Sequence, residues 1–272
     1  MPSRNTEALC RVETKAKTVV EAVEGASCDE FWQGALRLYQ PRKGFRLGTA
    51  TMLLAASIPS SEGGHGIDAG AGVGSLGIMV THRLTHLSCL GIEIDNFAYQ
   101  LAVRNVAHIK TMTMHHANFC DALPTNEKKP GDWLISNPPF YTPGTGRHAV
   151  SPAKATAHHG DQDLEAWMAA CKAWLKPGKR AYFILPTSAL QSFFRAASRL
   201  DFGAVSLRPV HSFADRPAKL VLLSARKNRQ GAAQLEPPLV LYKSERVYSP
   251  EAELVLNHGF GITEALLAAK KN

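Results

Sequence analysis

From Gly64 onward, short apolar segments alternate with amphipathic ones, and this alternation constrains the fold more than any other feature of the chain. Short apolar runs are typical of buried strands, whereas apolar residues three or four positions apart are typical of helices. Strands are predicted to end near Ile67 and to cover residues 87–92, 111–116, 133–136, 181–185, 204–210 and 219–225. Helices fit between them, most clearly at residues 163–175 and 189–200. The pattern predicts an α/β fold with a mostly parallel sheet, helices on both faces and an antiparallel strand at the edge.

Composition agrees with a folded globular protein, because 45% of the 272 residues are hydrophobic and 20% are charged. The five cysteines form no CxxC pair, so neither a zinc site nor a disulfide framework is predicted, and a reducing cytoplasm is expected.

The N-terminus lacks an apolar signal segment, and the longest apolar stretch, residues 52–58, is too short to span a bilayer. A formal charge of +8 favours a polyanionic partner.

The region before the alternating segments has helical spacing, for example at Val19, Val20 and Val23. We therefore expect a helical N-terminal arm over residues 1–40 and a single larger domain over residues 41–272.

A glycine-rich turn follows the first predicted strand, with Asp68 followed by Gly70, Gly72 and Gly74. Glycines allow the backbone to turn tightly and to approach a ligand closely. Ser75 occupies the position of the third glycine in the dinucleotide-binding pattern, and an acidic residue precedes the loop. A carboxylate repels phosphates but can pair with an amino group. The loop therefore suits a nucleoside with a cationic group, although a tight turn without a ligand is the simpler alternative.

Two further signals lie at the ends of predicted strands. Glu93 ends the second strand, where a carboxylate can accept hydrogen bonds from ribose hydroxyls. The fourth strand runs into Asn137-Pro138-Pro139-Phe140, in which the Asn137 side-chain oxygen and the Pro138 carbonyl can hold a planar NH2 group. Phe140 offers a face on which a base can stack. Carboxyl ends of parallel strands share one edge, so these residues should converge with the glycine loop.

These motifs together resemble the class I S-adenosylmethionine-dependent methyltransferases, and Asn-Pro-Pro-Phe is similar to their amino-methylating motif. Residues 40–46 and 53–56, and in the C-terminal half residues 208–211, 217–223, 237–241 and 248–253, resemble the bacterial valine-tRNA adenine-N6 methyltransferases. This resemblance covers about residues 31–256. It implies a Rossmann-like fold with a seven-stranded sheet, S-adenosylmethionine as cofactor, and N6 of an unpaired adenine in the tRNA anticodon loop as acceptor.

The resemblance also implies site residues. The catalytic group would be Asn137, Pro138, Pro139 and Phe140, and the cofactor would contact Asp68, Gly70, Gly72, Gly74, Glu93, Ile94, Asn118, Phe119 and Asn137. The chain departs from the family at Ala50 and Asn118, where the family usually has carboxylates. Asn118 can still accept a hydrogen bond from the adenine amino group through its side-chain oxygen.

The sequence constrains the binding partners less than it constrains the cofactor. Candidate phosphate contacts are Arg42, Lys43, Arg46, Arg147, Lys154, Arg208, Arg216 and Lys219. No metal is predicted, since the adjacent His158 and His159 do not point the same way. The same motif also serves rRNA guanine-N2 and protein glutamine N5 methyltransferases, so those acceptors stay open, as does a non-catalytic RNA-binding sensor of the cofactor. Basic charge favours tRNA or another structured RNA.

Overall fold

The computed structural model describes residues 23–138 and 160–270. Parallel strands form the centre of the fold, in the spatial order Met112–His116, Ser88–Glu93, His65–Ala69, Gly131–Ser136 and Leu175–Pro186. The main strands are β3 (His65–Ala69), β4 (Ser88–Glu93), β5 (Met112–His116), β6 (Gly131–Ser136), β7 (Leu175–Pro186), β8 (Phe202–His211) and β9 (Leu220–Lys227). Two-residue strands, β10 (Gln234–Leu235) and β11 (Leu239–Val240), pair with β8, so the sheet has nine strands within the described residues.

Helices cover both faces of this sheet, as the alternation predicts. They are α1 (Thr49–Ser57), α2 (Ser75–Arg83), α3 (Asn96–Val106), α4 (Gly160–Ala173), α5 (Leu190–Arg199), α6 (Pro250–His258) and α7 (Ile262–Ala269). One apolar core joins the sheet to α1, α2, α6 and α7, and a second core on the other face joins it to α4 and α5. Trp133 belongs to the first core and Leu134 to the second, which is the alternation expected of a strand buried on both faces. The predicted α/β fold is confirmed.

The antiparallel strand lies elsewhere than expected. β9 runs antiparallel to β7 and to β8 and is inserted between them, so it is an interior strand and the edge-strand prediction is wrong. In the sequence β8 follows β7 directly, but in the sheet β9, which comes later in the sequence, lies between them. Its apolar residues Val221 and Leu223 are buried in the second core, and Leu222 in the first.

The described part of the expected N-terminal helical arm is a β-hairpin. β1 (Ala26–Phe31) pairs antiparallel with β2 (Leu36–Pro41), and Trp32 and Gln33 at the turn have positive φ angles of 51° and 55°. Residues 1–22 lie outside the described residues. Helical structure is therefore wrong for residues 26–41, where the inward residues of β2 alternate with outward ones.

The hairpin packs against the rest of the fold through Asn105 on α3. The side-chain amide of Asn105 donates to the carbonyls of Tyr39 and Val73, at 3.0 and 2.9 Å, and its oxygen accepts from the Tyr39 N–H. One side chain thus connects the hairpin, α3 and the glycine-rich turn. The division of the chain at residue 40 stays a prediction.

The last strands form a small hairpin beside α6. β12 (Tyr242–Ser244) pairs antiparallel with β13 (Val247–Tyr248), and Ser249 then caps α6 by accepting the Ala252 N–H at 3.1 Å. Ser249 is a favourable N-cap residue, and Pro250 suits the first turn of the helix. Within the described ranges, no helix has the length and apolar character needed to cross a membrane.

We predict that Gly66→Ala lowers the free energy of unfolding by about 1–3 kcal/mol, the usual cost of overpacking a core. A Cβ at Gly66 would lie 2.2 Å from two atoms of the Trp133 indole, which is fully buried in the neighbouring strand and has no room to move. Urea unfolding measures the change. Gly63→Ala is the control, because no atom in the described part of the chain lies within 4 Å of a Cβ there, and equal stability of the two variants would contradict the prediction.

Candidate active site

The glycine-rich turn is held in place by the end of β4. Gly70 and Ala71 donate their N–H groups to the Ile92 carbonyl at 3.0 Å, and Gly72 donates to Glu93 Oε2 at 2.7 Å. Gly74 donates to the Ala71 carbonyl at 2.9 Å. Because these donors are engaged within the protein, the turn does not present them to phosphates. The structure therefore agrees with the sequence argument against a pyrophosphate.

Positive φ angles at Gly70, Gly72 and Gly74 make this path possible, since side chains rarely tolerate that region. The surroundings of the three glycines differ. A Cβ at Gly72 would meet no atom of the described residues within 4 Å, whereas one at Gly70 would lie 3.1 Å from the Trp167 ring. Gly72 therefore borders open space, as a residue next to a ligand must.

Asp68 lies beneath the turn and is fully buried. Its Oδ2 accepts the Gly77 N–H at 2.8 Å, so this carboxylate satisfies one of the free N–H groups in the first turn of α2. Its Oδ1 has no partner among the described residues. Burial raises the pKa of Asp68 to about 7, although the bond from Gly77 acts in the opposite direction. An amino group near Oδ1 would stabilise the ionised form.

Glu93 is nearly buried, and both of its oxygens are engaged. Oε2 accepts from Gly72, and Oε1 accepts from the Asp95 N–H at 2.7 Å. A carboxylate has about four acceptor positions, so two remain for a ligand. Asp95 caps α3 by accepting the Ala98 N–H at 2.8 Å. Ile94, between the two acidic residues, is 49% exposed and offers an apolar surface beside the turn.

The loop after β5 brings Asn118 and Phe119 to the same edge of the sheet. Asn118 is half-buried; its oxygen accepts the Cys120 N–H at 3.2 Å, and its amide donates to Asp121. Phe119 is buried with its ring centroid 5.0 Å from that of Trp167. In this arrangement Phe119 supports the wall of the crevice and Asn118 stands at its border.

Asn137 lies level with the glycine turn. The register pairs Asp68 with Ile135, and Gly70 and Asn137 each follow two residues later, directly beyond the ends of the neighbouring strands β3 and β6. Asn137 is half-buried and Pro138 is buried. Pro139, Phe140, Arg147 and Lys154 lie outside the described residues. The described part of the motif therefore faces the edge where the sequence places the cofactor.

Ser136 and Trp167 complete the crevice, and sequence reasoning missed both. The Ser136 hydroxyl donates to the Ala69 carbonyl at 2.9 Å, and the Trp167 indole N–H donates to that hydroxyl at 3.0 Å. This chain ties α4 to the ends of β3 and β6. In the sequence, Trp167 is one member of the apolar face of a helix, and nothing in its local pattern distinguishes it from the other members.

Several candidate phosphate contacts are engaged elsewhere. Arg46 forms an ion pair with Asp29 and donates to the Pro41 carbonyl at 2.8 Å. Arg208 is 13% exposed and donates to the Pro237 carbonyl, with Glu236 beside it. Burial lowers the pKa of Arg208. Arg42, Lys43, Arg216 and Lys219 are exposed. Arg46 and Arg208 therefore act within the fold, which makes them poor candidates for phosphate contacts.

Known proteins that are similar to this chain are methyltransferases. A family model described as the methyltransferase small domain matches residues 45–159. The fold is similar to that of a predicted O-methyltransferase from Agrobacterium tumefaciens, with a TM-score of 0.60, 19% identity, and coverage of 77% of this chain and 95% of that one. M. jannaschii TYW2 in complex with AdoMet has a TM-score of 0.51 and 13% identity, over 76% and 88% of the two chains. The chain therefore has the fold of the class I S-adenosylmethionine-dependent methyltransferases, and residues 45–159 match a methyltransferase domain.

Proteins that are similar to this chain in sequence carry a more specific name. A Vibrio vulnificus (strain YJ016) protein named tRNA1(Val) (adenine(37)-N6)-methyltransferase is 28% identical over 180 residues, which are 66% of this chain and 74% of the relative. A protein of the same name from Aeromonas salmonicida is 28% identical over 223 residues, or 80% and 91% of the two chains. The resemblance to the bacterial valine-tRNA adenine-N6 methyltransferases is confirmed.

We predict that Asp68→Asn changes the pH dependence of stability. Between pH 4 and 7 the unfolded chain loses the Asp68 proton while the folded protein keeps it, so Asp68 makes the folded protein less stable as pH rises. Asn keeps an acceptor for Gly77 and cannot ionise. In urea unfolding without cofactor, the variant should gain stability relative to the parent from pH 4 to pH 7. A difference that does not vary with pH would contradict the assignment.

Proposed function

We propose that this protein transfers the methyl group of S-adenosylmethionine to N6 of an unpaired adenine in the anticodon loop of a tRNA, in the cytoplasm. The observation that carries the proposal is the position of Asn137-Pro138, level with the glycine turn and one strand away from it. The names of the relatives, which specify adenine 37 of a valine tRNA, support this acceptor.

The described residues fit the cofactor. Among the residues that the structure describes, none fills the space beside Gly72 and none pairs with Oδ1 of Asp68. With two acceptor positions left on Glu93 and an exposed Ile94, this arrangement suits a nucleoside that carries an ammonium group. Glu93 would accept the ribose hydroxyls, Ile94 would cover the adenine, and Asn118 would accept its amino group. When bound, S-adenosylmethionine supplies an electrophilic methyl group on a sulfonium.

Asn137 and Pro138 would orient the acceptor amine. The lone pair of an adenine N6 amine is delocalised into the ring, which makes the amine a poor nucleophile. Acceptance of both N–H hydrogens, by the Asn137 side-chain oxygen and the Pro138 carbonyl, favours a pyramidal nitrogen whose lone pair points at the methyl group. These oxygens also stabilise the positive charge that develops on nitrogen. Alignment of this kind contributes about 7–11 kcal/mol to lowering a barrier.

A base inside a stem cannot reach such a crevice, so the acceptor must be unpaired and turned out of its stack. Phe140, by its place in the motif, would stack on this base. Arg42, Lys43 and Lys219, which are exposed, remain candidates for contacts with the RNA backbone.

Methylation of unmodified tRNA tests the proposal. Purified protein is incubated with labelled S-adenosylmethionine and tRNA transcribed in vitro, and the nucleosides are analysed by mass spectrometry. We expect label in N6-methyladenosine. Label in N2-methylguanosine of rRNA, or in a glutamine-containing peptide offered in parallel, would replace the proposed acceptor, and cofactor binding without any transfer would favour a sensor.

We predict that Asn137→Ala lowers kcat by at least about 100-fold, the usual effect of removing one preorganised hydrogen-bonding group from the transition state. Affinity for S-adenosylmethionine, measured by calorimetry, should stay within about threefold, because Glu93 and the glycine turn are unchanged. Asn137→Asp, which keeps an acceptor oxygen, is the matched variant and should retain more activity. Equal turnover by parent and Asn137→Ala would overturn the assigned role.

A further inference from the structure

Three aromatic rings form a cluster after β8 that the proposed chemistry does not use. Tyr242 and Tyr248 face each other across the β12–β13 hairpin, with ring centroids 5.2 Å apart and planes inclined by 20°. Phe213 lies against Tyr242, with centroids 5.6 Å apart and planes inclined by 33°. We call Phe213, Tyr242 and Tyr248 the aromatic cluster. Each of its rings is only partly buried.

Backbone hydrogen bonds hold the cluster on the sheet. The N–H groups of Leu241 and Tyr242 donate to the carbonyls of His211 and Ser212, at 2.8 and 3.0 Å. The Ser249 hydroxyl donates to the Val240 carbonyl at 2.7 Å, which fixes the other strand of the hairpin. The rings are therefore presented on a rigid base.

The cluster lies at the same edge of the sheet as Asn137. β8 is antiparallel to β9, which is antiparallel to β7, so β8 ends at the carboxyl edge of the parallel strands. Three strand spacings separate β6 from β8, a distance of about 15 Å. This distance corresponds to a few nucleotides of an extended single strand.

A cavity of about 340 Å³ opens beside the rings and is lined by Phe213, Tyr242, Arg246 and Tyr248. Arg216 lies over the Phe213 ring, with its guanidinium carbon 4.4 Å from the ring centroid. The two loops that carry the cluster, residues 212–219 and 242–248, contain four basic side chains (Arg216, Lys219, Lys243 and Arg246) and two acidic ones (Asp215 and Glu245). All six are exposed.

Aromatic faces next to exposed arginines match single-stranded nucleic acid, in which bases stack on rings and phosphates contact cations. We propose that the aromatic cluster stacks an unpaired base that neighbours the target nucleotide in the RNA substrate, while Arg216 and Arg246 contact the adjoining phosphates. This proposal rests on the proposed function and assigns to the β8 and β12–β13 region the second point at which the RNA loop is held.

Ring-removing and ring-preserving variants test the proposal in the full-length protein. Phe213→Leu and Tyr248→Leu keep an apolar side chain but remove the ring. Each should raise the Kd for an RNA stem-loop with an unpaired adenine by about 5- to 100-fold, with a matching rise in KM and little change in kcat. Tyr248→Phe and Phe213→Tyr keep the ring and should bind like the parent. Phe194→Leu, which removes a 41% exposed ring from α5, is the control.

Affinity for S-adenosylmethionine and the urea midpoint are measured for every variant. If either Phe213→Leu or Tyr248→Leu has a folding defect, the other one still tests the proposal. Photocrosslinking adds a positional readout: RNA with 5-iodouridine beside the target adenine should crosslink to a peptide that contains Phe213, Tyr242 or Tyr248. If the parent methylates RNA while Phe213→Leu and Tyr248→Leu keep the parental KM, the stacking proposal is overturned and the proposed function stands. If the parent neither binds nor methylates RNA, both are overturned.

Discussion

The end of β4 holds the glycine-rich turn, and the cofactor crevice depends on this contact. Three successive N–H groups of the turn donate to Ile92 and Glu93, which fixes the path of the backbone and the orientation of the Glu93 carboxylate together. The turn therefore has few donors left for phosphates and borders an acidic side chain instead. This physical difference separates the crevice from a dinucleotide site built on the same strand-turn-helix arrangement.

The hydrogen-bonded chain from Trp167 through Ser136 to Ala69 connects α4 with the two strands that carry the glycine turn and Asn137. Its polar atoms are satisfied in a buried position, where an unpaired group would be costly. Catalysis by alignment requires that cofactor and acceptor be held at a fixed distance. A rigid connection between β3 and β6 provides that spacing without contributing a reacting group.

The strand and helix pattern from residue 64 onward was readable from the sequence because both faces of the sheet are buried and the strands are apolar. The N-terminal hairpin was misread. Leu36, Leu38 and Gln40 point inward in β2, but Gln40 is polar, and its burial is explained only by its bonds to Asp29 and to the Leu47 N–H. The position of β9 between β7 and β8 was also not readable, because strand order depends on contacts between distant residues.

The sequence by itself determined the class of chemistry. An acidic residue before three glycines, a carboxylate at the end of the next strand and Asn137-Pro138 each follow from residue type and local position, and local position is what a sequence records. Only the tertiary structure decided which charges are free. Arg46 and Arg208 are engaged with Asp29 and Glu236, whereas Arg216 and Arg246 are exposed beside aromatic rings. The physical reason is that the sequence shows only that a residue is an arginine. Whether that arginine is paired or exposed depends on how segments far apart in the chain pack against each other.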